Sequence, residues 1–182
     1  MSRRTRLVLP MLAALALTAL SLAISACGYS SDSKDVVEGE VVELGDLKYQ
    51  VVFSRFLNAN DNEDSAYLVG QRPAKKGSSY FGIFLEVQNK SEENQKLAET
   101  FTIADADNQT FDAIPSESLY AFPFGGQLEP QEPIPAPDST PQQGPIEGSL
   151  VLFELPSSAS ENRPLTLSID GPDGPAKVTL DL

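Results

Sequence analysis

The sequence predicts an all-β protein: a β-sandwich of about seven to nine short strands behind an amino-terminal export segment. Three observations carry this. Residues 47–57 alternate apolar and polar side chains, and residues 80–89 are dense in aromatic and β-branched ones. No long segment of the remaining chain keeps a 3.6-residue apolar period, and no repeat of solenoid length appears. Turn-forming clusters separate the apolar runs, as in sandwiches.

The first 26 residues read as an address. Arg3, Arg4 and Arg6 precede an uncharged run over residues 7–26, rich in Leu and Ala, that closes on small residues before Cys27. A basic start, an apolar stretch and small residues before a cut site make a secretory signal. Ile24-Ser25-Ala26-Cys27 resembles the lipobox of bacterial lipoproteins. That resemblance implies a diacylglyceryl group on the Cys27 thiol and cleavage just before it. It places the protein in the bacterial cell envelope, on the outer face of the cytoplasmic membrane. Ser2-Arg3-Arg4 hints at a twin-arginine signal, but Arg6 stands where that signal usually carries a large apolar residue.

Residues 27–44 then form the lipidated cysteine and a flexible tether, with a strand start at Val36-Val37 or Val41-Val42. In residues 47–57, Leu47, Tyr49, Val51 and Phe53 share one side of a strand. Residues 58–64 are an acidic, turn-rich loop, and residues 71–79 a second loop. Residues 80–89 give the strongest strand signal. Residues 101–105 and 110–114 flank a hairpin-like turn, and residues 148–155, 165–169 and 177–182 are further strands. Twelve of the 14 prolines lie from Pro115 onward. Six of them fall within residues 130–145, so the stretch 129–145 is an extended surface loop and no central strand.

Composition narrows the chemistry. The chain has no His, no Trp and one Cys. After residue 26, ten basic face 26 acidic side chains, a net charge of −16. That charge disfavours nucleic acid and direct docking on anionic lipid. Without His, a Ser-His-Asp or Cys-His arrangement cannot form within the chain, nor can the usual zinc and blue-copper sites. A single Cys makes no internal disulfide, so the domain rests on its core.

Several segments together resemble the telokin-like immunoglobulin-fold domain of unknown function, found in bacterial lipoproteins and exported proteins. They are the strand ending Val87-Gln88-Asn89, the strand leading to Asp105 and its turn, and the strand from Gly148 through Phe153 to Pro156. The resemblance spans residues 45–182. It implies an immunoglobulin-like Greek-key β-sandwich outside the cytoplasm, and no catalytic residues.

The expected protein is therefore a non-enzymatic lipoprotein module, monomeric, with no cofactor beyond the lipid on Cys27. Its partners are the membrane, through that lipid, and an envelope protein. Tyr120, Phe122 and Phe124, beside Pro123 and a Gly pair, are the candidate partner-binding residues, since exposed aromatics mark interfaces; packing beneath the long loop is the competing reading. The alternative is a calcium- or small-ligand-binding lipoprotein. Its candidates are Asp61, Glu63 and Asp64 in the first acidic loop and Asp105 and Asp107 in the second, because calcium takes clustered oxygen ligands. The second loop departs from a calcium-binding helix-loop-helix, with Thr110 where Gly is needed and Ser116 where Glu is needed. A hydrolase using paired carboxylates ranks last, because no acid is marked out by its neighbours.

Overall fold

The computed structural model describes residues 34–181. Cys27 and the export segment lie outside them. In chain order the elements are β1 (Asp35–Val37), β2 (Val41–Leu44), β3 (Leu47–Leu57), α1 (Asn62–Tyr67), β4 (Ser78–Asn89), β5 (Gln95–Lys96), β6 (Phe101–Ala104), β7 (Thr110–Asp112), β8 (Gln127–Leu128), β9 (Pro133–Ile134), α2 (Thr140–Gln143), β10 (Ser149–Pro156), a 3₁₀ turn (Ser157–Ser160), β11 (Thr166–Ile169) and β12 (Ala176–Thr179). The first two strands lie within the stretch read as a tether. Val36 and Val42 are buried there, so the sandwich begins ten residues before the boundary expected at 45.

Two sheets form. One runs β1-β12-β11-β6-β7, antiparallel except for β1 beside β12. The other runs β10-β4-β3-β2, fully antiparallel, and β5 and β8 make a small separate pair. Alternation decides what lies between the main sheets. Val42, Tyr49, Val51, Phe81, Ile83, Leu85, Val151 and Phe153 from one meet Phe101, Ile103, Leu167, Ile169 and Val178 from the other in a single core. Fully burying a side chain of this size contributes about 1.5–3 kcal/mol against its exposed state.

Phe53 departs from the expected pattern. The register of β3 against β4 shifts between Val51 and Phe53. One extra residue there turns every later side chain to the opposite face. Phe53 is consequently 43% exposed, while Phe56 packs on the core, edge-to-face with Phe81.

The second sheet is apolar on both faces along β4 and β10, which is why residues 80–85 read as an almost unbroken apolar run. On the outer face Leu57, Tyr80, Phe84, Leu150 and Leu152 form a second buried cluster with Tyr67 and Leu68. Helix α1 supplies Tyr67. Asp61 caps it, accepting the N–H of Glu63 at 2.9 Å and of Asp64 at 3.2 Å, and acids in the first turn suit the helix dipole. The free edge of β10 is covered by residues 114–122: Ile114 N–H donates to Leu152 O and Phe122 N–H to Leu150 O, each at 2.8 Å. An uncovered edge would invite pairing with another chain.

The proline-rich stretch is a surface segment, as expected, with one short strand inside it. In β9, Ile134 pairs with Val87 and Pro133 with Gln88, alongside β4 just past Leu85, where β10 leaves off. Pro133 stands at a sheet edge, where a missing N–H is tolerated.

Candidate binding cleft

The aromatic trio is a packing feature. Phe122 is 2% exposed and stacks edge-to-face on Phe101 and Phe124, which it joins at the main core. Tyr120 meets Tyr67 over the outer cluster, with ring centroids 4.7 Å apart. The expectation that Tyr120, Phe122 and Phe124 form an exposed docking patch is corrected accordingly. The bridges of residues 114 and 121 to β10 turn these rings inward. Their exposed neighbour is Leu119, 80% accessible.

The acidic candidates hold their own loops together. Asp64 is buried; its Oδ2 accepts the Asn58 N–H at 2.6 Å and the Arg55 Nη1–H at 3.2 Å, and Arg55 Nη2 stands 2.5 Å from Oδ1. Glu63 pairs with the same guanidinium at 3.0 Å, and Asp61 is the helix cap. Asp105 accepts the N–H groups of Asp107 and Gln109 at 3.0 and 2.9 Å, closing the turn in which Asn108 takes φ 62°. Asp107 accepts from Asn162 at 2.8 Å. Among the described residues no group of three acidic, Cys or His side chains gathers closely enough to hold a metal ion.

What does open to solvent is the other half of the outer face of the second sheet. Where Phe84 and Leu152 end, the outward positions turn polar: Lys48 and Gln50 on β3, Glu86 and Gln88 on β4. The second apolar cluster stops short of them. The proline-rich segment rises alongside as a wall, since β9 pins it to the far end of β4. Between floor and wall lies a cleft of about 320 Å³, completed by Val41, Pro133, Pro135, Pro137, Gln142 and Glu147. Mixed apolar walls with a few convergent polar groups are the ordinary make-up of a ligand site.

Charge in the cleft is lopsided. Lys48 is paired with Glu43 at 2.8 Å. The Glu86 carboxyl is held above the usual carboxylate range, first by burial and second by the charge of Glu147. Glu147 precedes Gly148, whose φ of +140° suits glycine and where an added Cβ would crowd Phe84 and Leu85 at 3.0–3.2 Å. Sequence reasoning marked out the proline-rich segment that supplies Pro133, Pro135, Pro137 and Gln142, but none of the cleft residues on β2, β3 and β4, nor Glu147. They come from five separated stretches, and only the register of β3, β4 and β9 brings them together. For those outside that segment the available signal was Glu86, a lone acid in an apolar strand.

The chain aligns with three solved structures. The yjhA protein of Bacillus subtilis aligns with a TM-score of 0.56 at 16% identity, over 80% of this chain and 99% of its own. An uncharacterized β-sandwich protein from Clostridium difficile 630 aligns at 0.47 and 16% identity, over 81% of this chain and 93% of its own. A functionally unknown protein from Listeria monocytogenes EGD-e aligns at 0.44 and 10% identity, over 72% and 69%. The likeness to the yjhA protein speaks to the fold alone. No family model matches the chain, and no curated protein does.

Proposed function

We propose that the chain is a bacterial lipoprotein, anchored by a diacylglyceryl group on Cys27 to the outer face of the cytoplasmic membrane. Its immunoglobulin-like Greek-key sandwich acts by binding, with no reaction of its own. The cleft between β3, β4 and the proline-rich segment carries this reading: it is a formed concavity on the outer face of the second sheet, with apolar walls and a few converging polar groups. The lipobox supports the anchor. Strand β1 starts eight residues after Cys27. Two or more acyl chains hold a protein stably, at about 0.8 kcal/mol per buried CH₂.

Membrane fractionation tests the anchor. The Cys27→Ala chain is expected in the soluble extracytoplasmic fraction, folded, whereas the unaltered chain sediments with membranes and carries the lipid mass on its amino-terminal peptide. A Cys27→Ala chain that stays with the membrane refutes it.

A further inference from the structure

Two carboxylates share the cleft without a cation between them. Glu86 projects from the floor, where its β4 position faces Gln50 of β3. Glu147 enters from the turn ahead of β10. Neither has a hydrogen-bond or ion-pair partner among the described residues, and the cleft's own lysine, Lys48, is held by Glu43. Partial burial, and then the charge of the exposed Glu147, raises the Glu86 carboxyl, so Glu86 carries its charge less favourably here than in open water. A protein cation could have settled there and does not. Glu86 is partly buried and Glu147 is exposed, so their like charges repel at the mouth of the cleft, and an incoming positive group would relieve that repulsion.

The rest of the lining narrows what that group carries. Pro133, Pro135 and Pro137 present ring methylenes along one wall, with Val41 at the opposite side. Gln50, Gln88 and Gln142 contribute neutral amides whose oxygens accept hydrogen bonds. Two acids arriving from different elements, with amide oxygens on further sides, suit a compact donor with three N–H groups better than a planar fork that seeks one carboxylate edge-on. A divalent metal is a poorer match, since calcium takes six to eight oxygens and two carboxylates do not make a cage.

We propose that the cleft binds a primary ammonium on an aliphatic stem, with the ammonium between Glu86 and Glu147 and the stem along Pro133, Pro135 and Pro137. The same chemistry is offered by a free diamine and by a lysine side chain of an extended peptide. This deepens the reading of the cleft as the binding surface and rests on it.

Calorimetric titration of the full chain in detergent micelles tests it, with cadaverine in one arm and an acetylated pentapeptide bearing one central lysine in the other. Saturable one-site binding is expected in at least one arm, and whichever saturates identifies the source. The Glu86→Gln, Glu147→Gln double variant is expected to weaken binding at least tenfold. A control, Glu92→Gln with Glu93→Gln in the exposed turn after β4, is expected to leave it unchanged. Absence of saturable heat in both arms overturns the proposal. So does equal weakening by the two double variants, which would mean general attraction to a chain of net −16. Melting curves of both variants, expected at or above that of the unaltered chain, show that any loss is not unfolding. An anchored protein that ignores both amines sinks the ligand and leaves the anchor standing; amine binding by a chain that never acquires lipid does the reverse.

Discussion

Tyr49 Oη accepts the backbone N–H of Ala98 at 2.9 Å, and both residues are buried. The bond ties β3 of the second sheet to the segment that leads into β6 of the first, across the interior. Burial raises the Tyr49 hydroxyl's pKa and the Ala98 N–H opposes this in part. Removing the oxygen leaves a buried N–H without a partner, which costs about 1–3 kcal/mol. Tyr49→Phe is therefore expected to lower the urea midpoint by that amount at unchanged slope. A midpoint within about 0.3 kcal/mol of the parent would mean that Ala98 finds another acceptor.

Tyr67 makes the opposite case. It is wholly buried, yet its hydroxyl has no hydrogen-bond partner among the described residues; the nearby Ile146 backbone pulls its pKa down slightly without meeting bonding geometry. Burial first, then the charges of Glu63 and Tyr120, push that pKa up to about 12. The folded chain thus keeps this proton at pH values where the unfolded chain, near 10, releases it. The contribution is complete below pH 10 and is lost as pH rises from there to about 12. Tyr67→Phe is expected to be neutral or stabilising at pH 8, because no bond is lost, and to lose less stability than the parent between pH 10 and 11. Tyr49 and Tyr80, also raised, retain some alkaline sensitivity in the variant. Urea titrations at the two pH values decide it; a Tyr67→Phe chain weaker by 2 kcal/mol or more at pH 8 would reveal a hydroxyl bond.

Asp64 gives the third expectation. Its buried carboxylate holds the Asn58 N–H and the Arg55 guanidinium together, so removing it leaves a part-buried N–H without its acceptor and Arg55 with Glu63 alone. Asp64→Ala is expected to cost roughly 2–4 kcal/mol. The same engagement leaves Asp61, Glu63 and Asp64 poorly placed to serve an ion. Millimolar calcium is expected to leave the melting temperature unchanged, and a rise of several degrees that a chelator reverses would show otherwise.

What the sequence discloses and what it hides divide along local and long-range physics. The strands at 47–57 and 80–89 are legible because their side-chain alternation or density is a local property. The prolines of 130–145 bar a central strand by a missing donor, again locally. Phe53 is misplaced because a single bulge inverts alternation without altering composition. Tyr120, Phe122 and Phe124 look like a patch because their cover, α1 and Phe101, lies about 20 to 60 residues away in the chain. The floor of the cleft is hidden for the same reason, although the proline-rich wall is legible. Val41, Gln50, Glu86, Pro135 and Glu147 are neighbours through strand register alone.

Asn89 shows how the cleft wall is fixed. Its side chain is fully buried, donating from Nδ2 to the carbonyls of Glu93, Leu128 and Glu129 at 2.8, 3.1 and 3.0 Å. Its Oδ1 accepts from the Ser91 N–H and hydroxyl at 2.9 and 2.8 Å, and its own N–H reaches Glu132 O at 3.1 Å. One amide thus fastens the end of β4 to the turn after it and to the start of the proline-rich segment. Asn89→Ala abandons these carbonyls and opens a void, for about 2–4 kcal/mol. Asn89→Asp, though isosteric, turns a carboxylate oxygen toward the carbonyls in place of a donor, and is expected to cost at least as much at pH 7. Thermal unfolding of the two variants reads this. If Asp proves milder than Ala, shape rather than hydrogen bonding holds the wall, and amine affinity in the cleft should then survive Asn89→Asp while falling in Asn89→Ala.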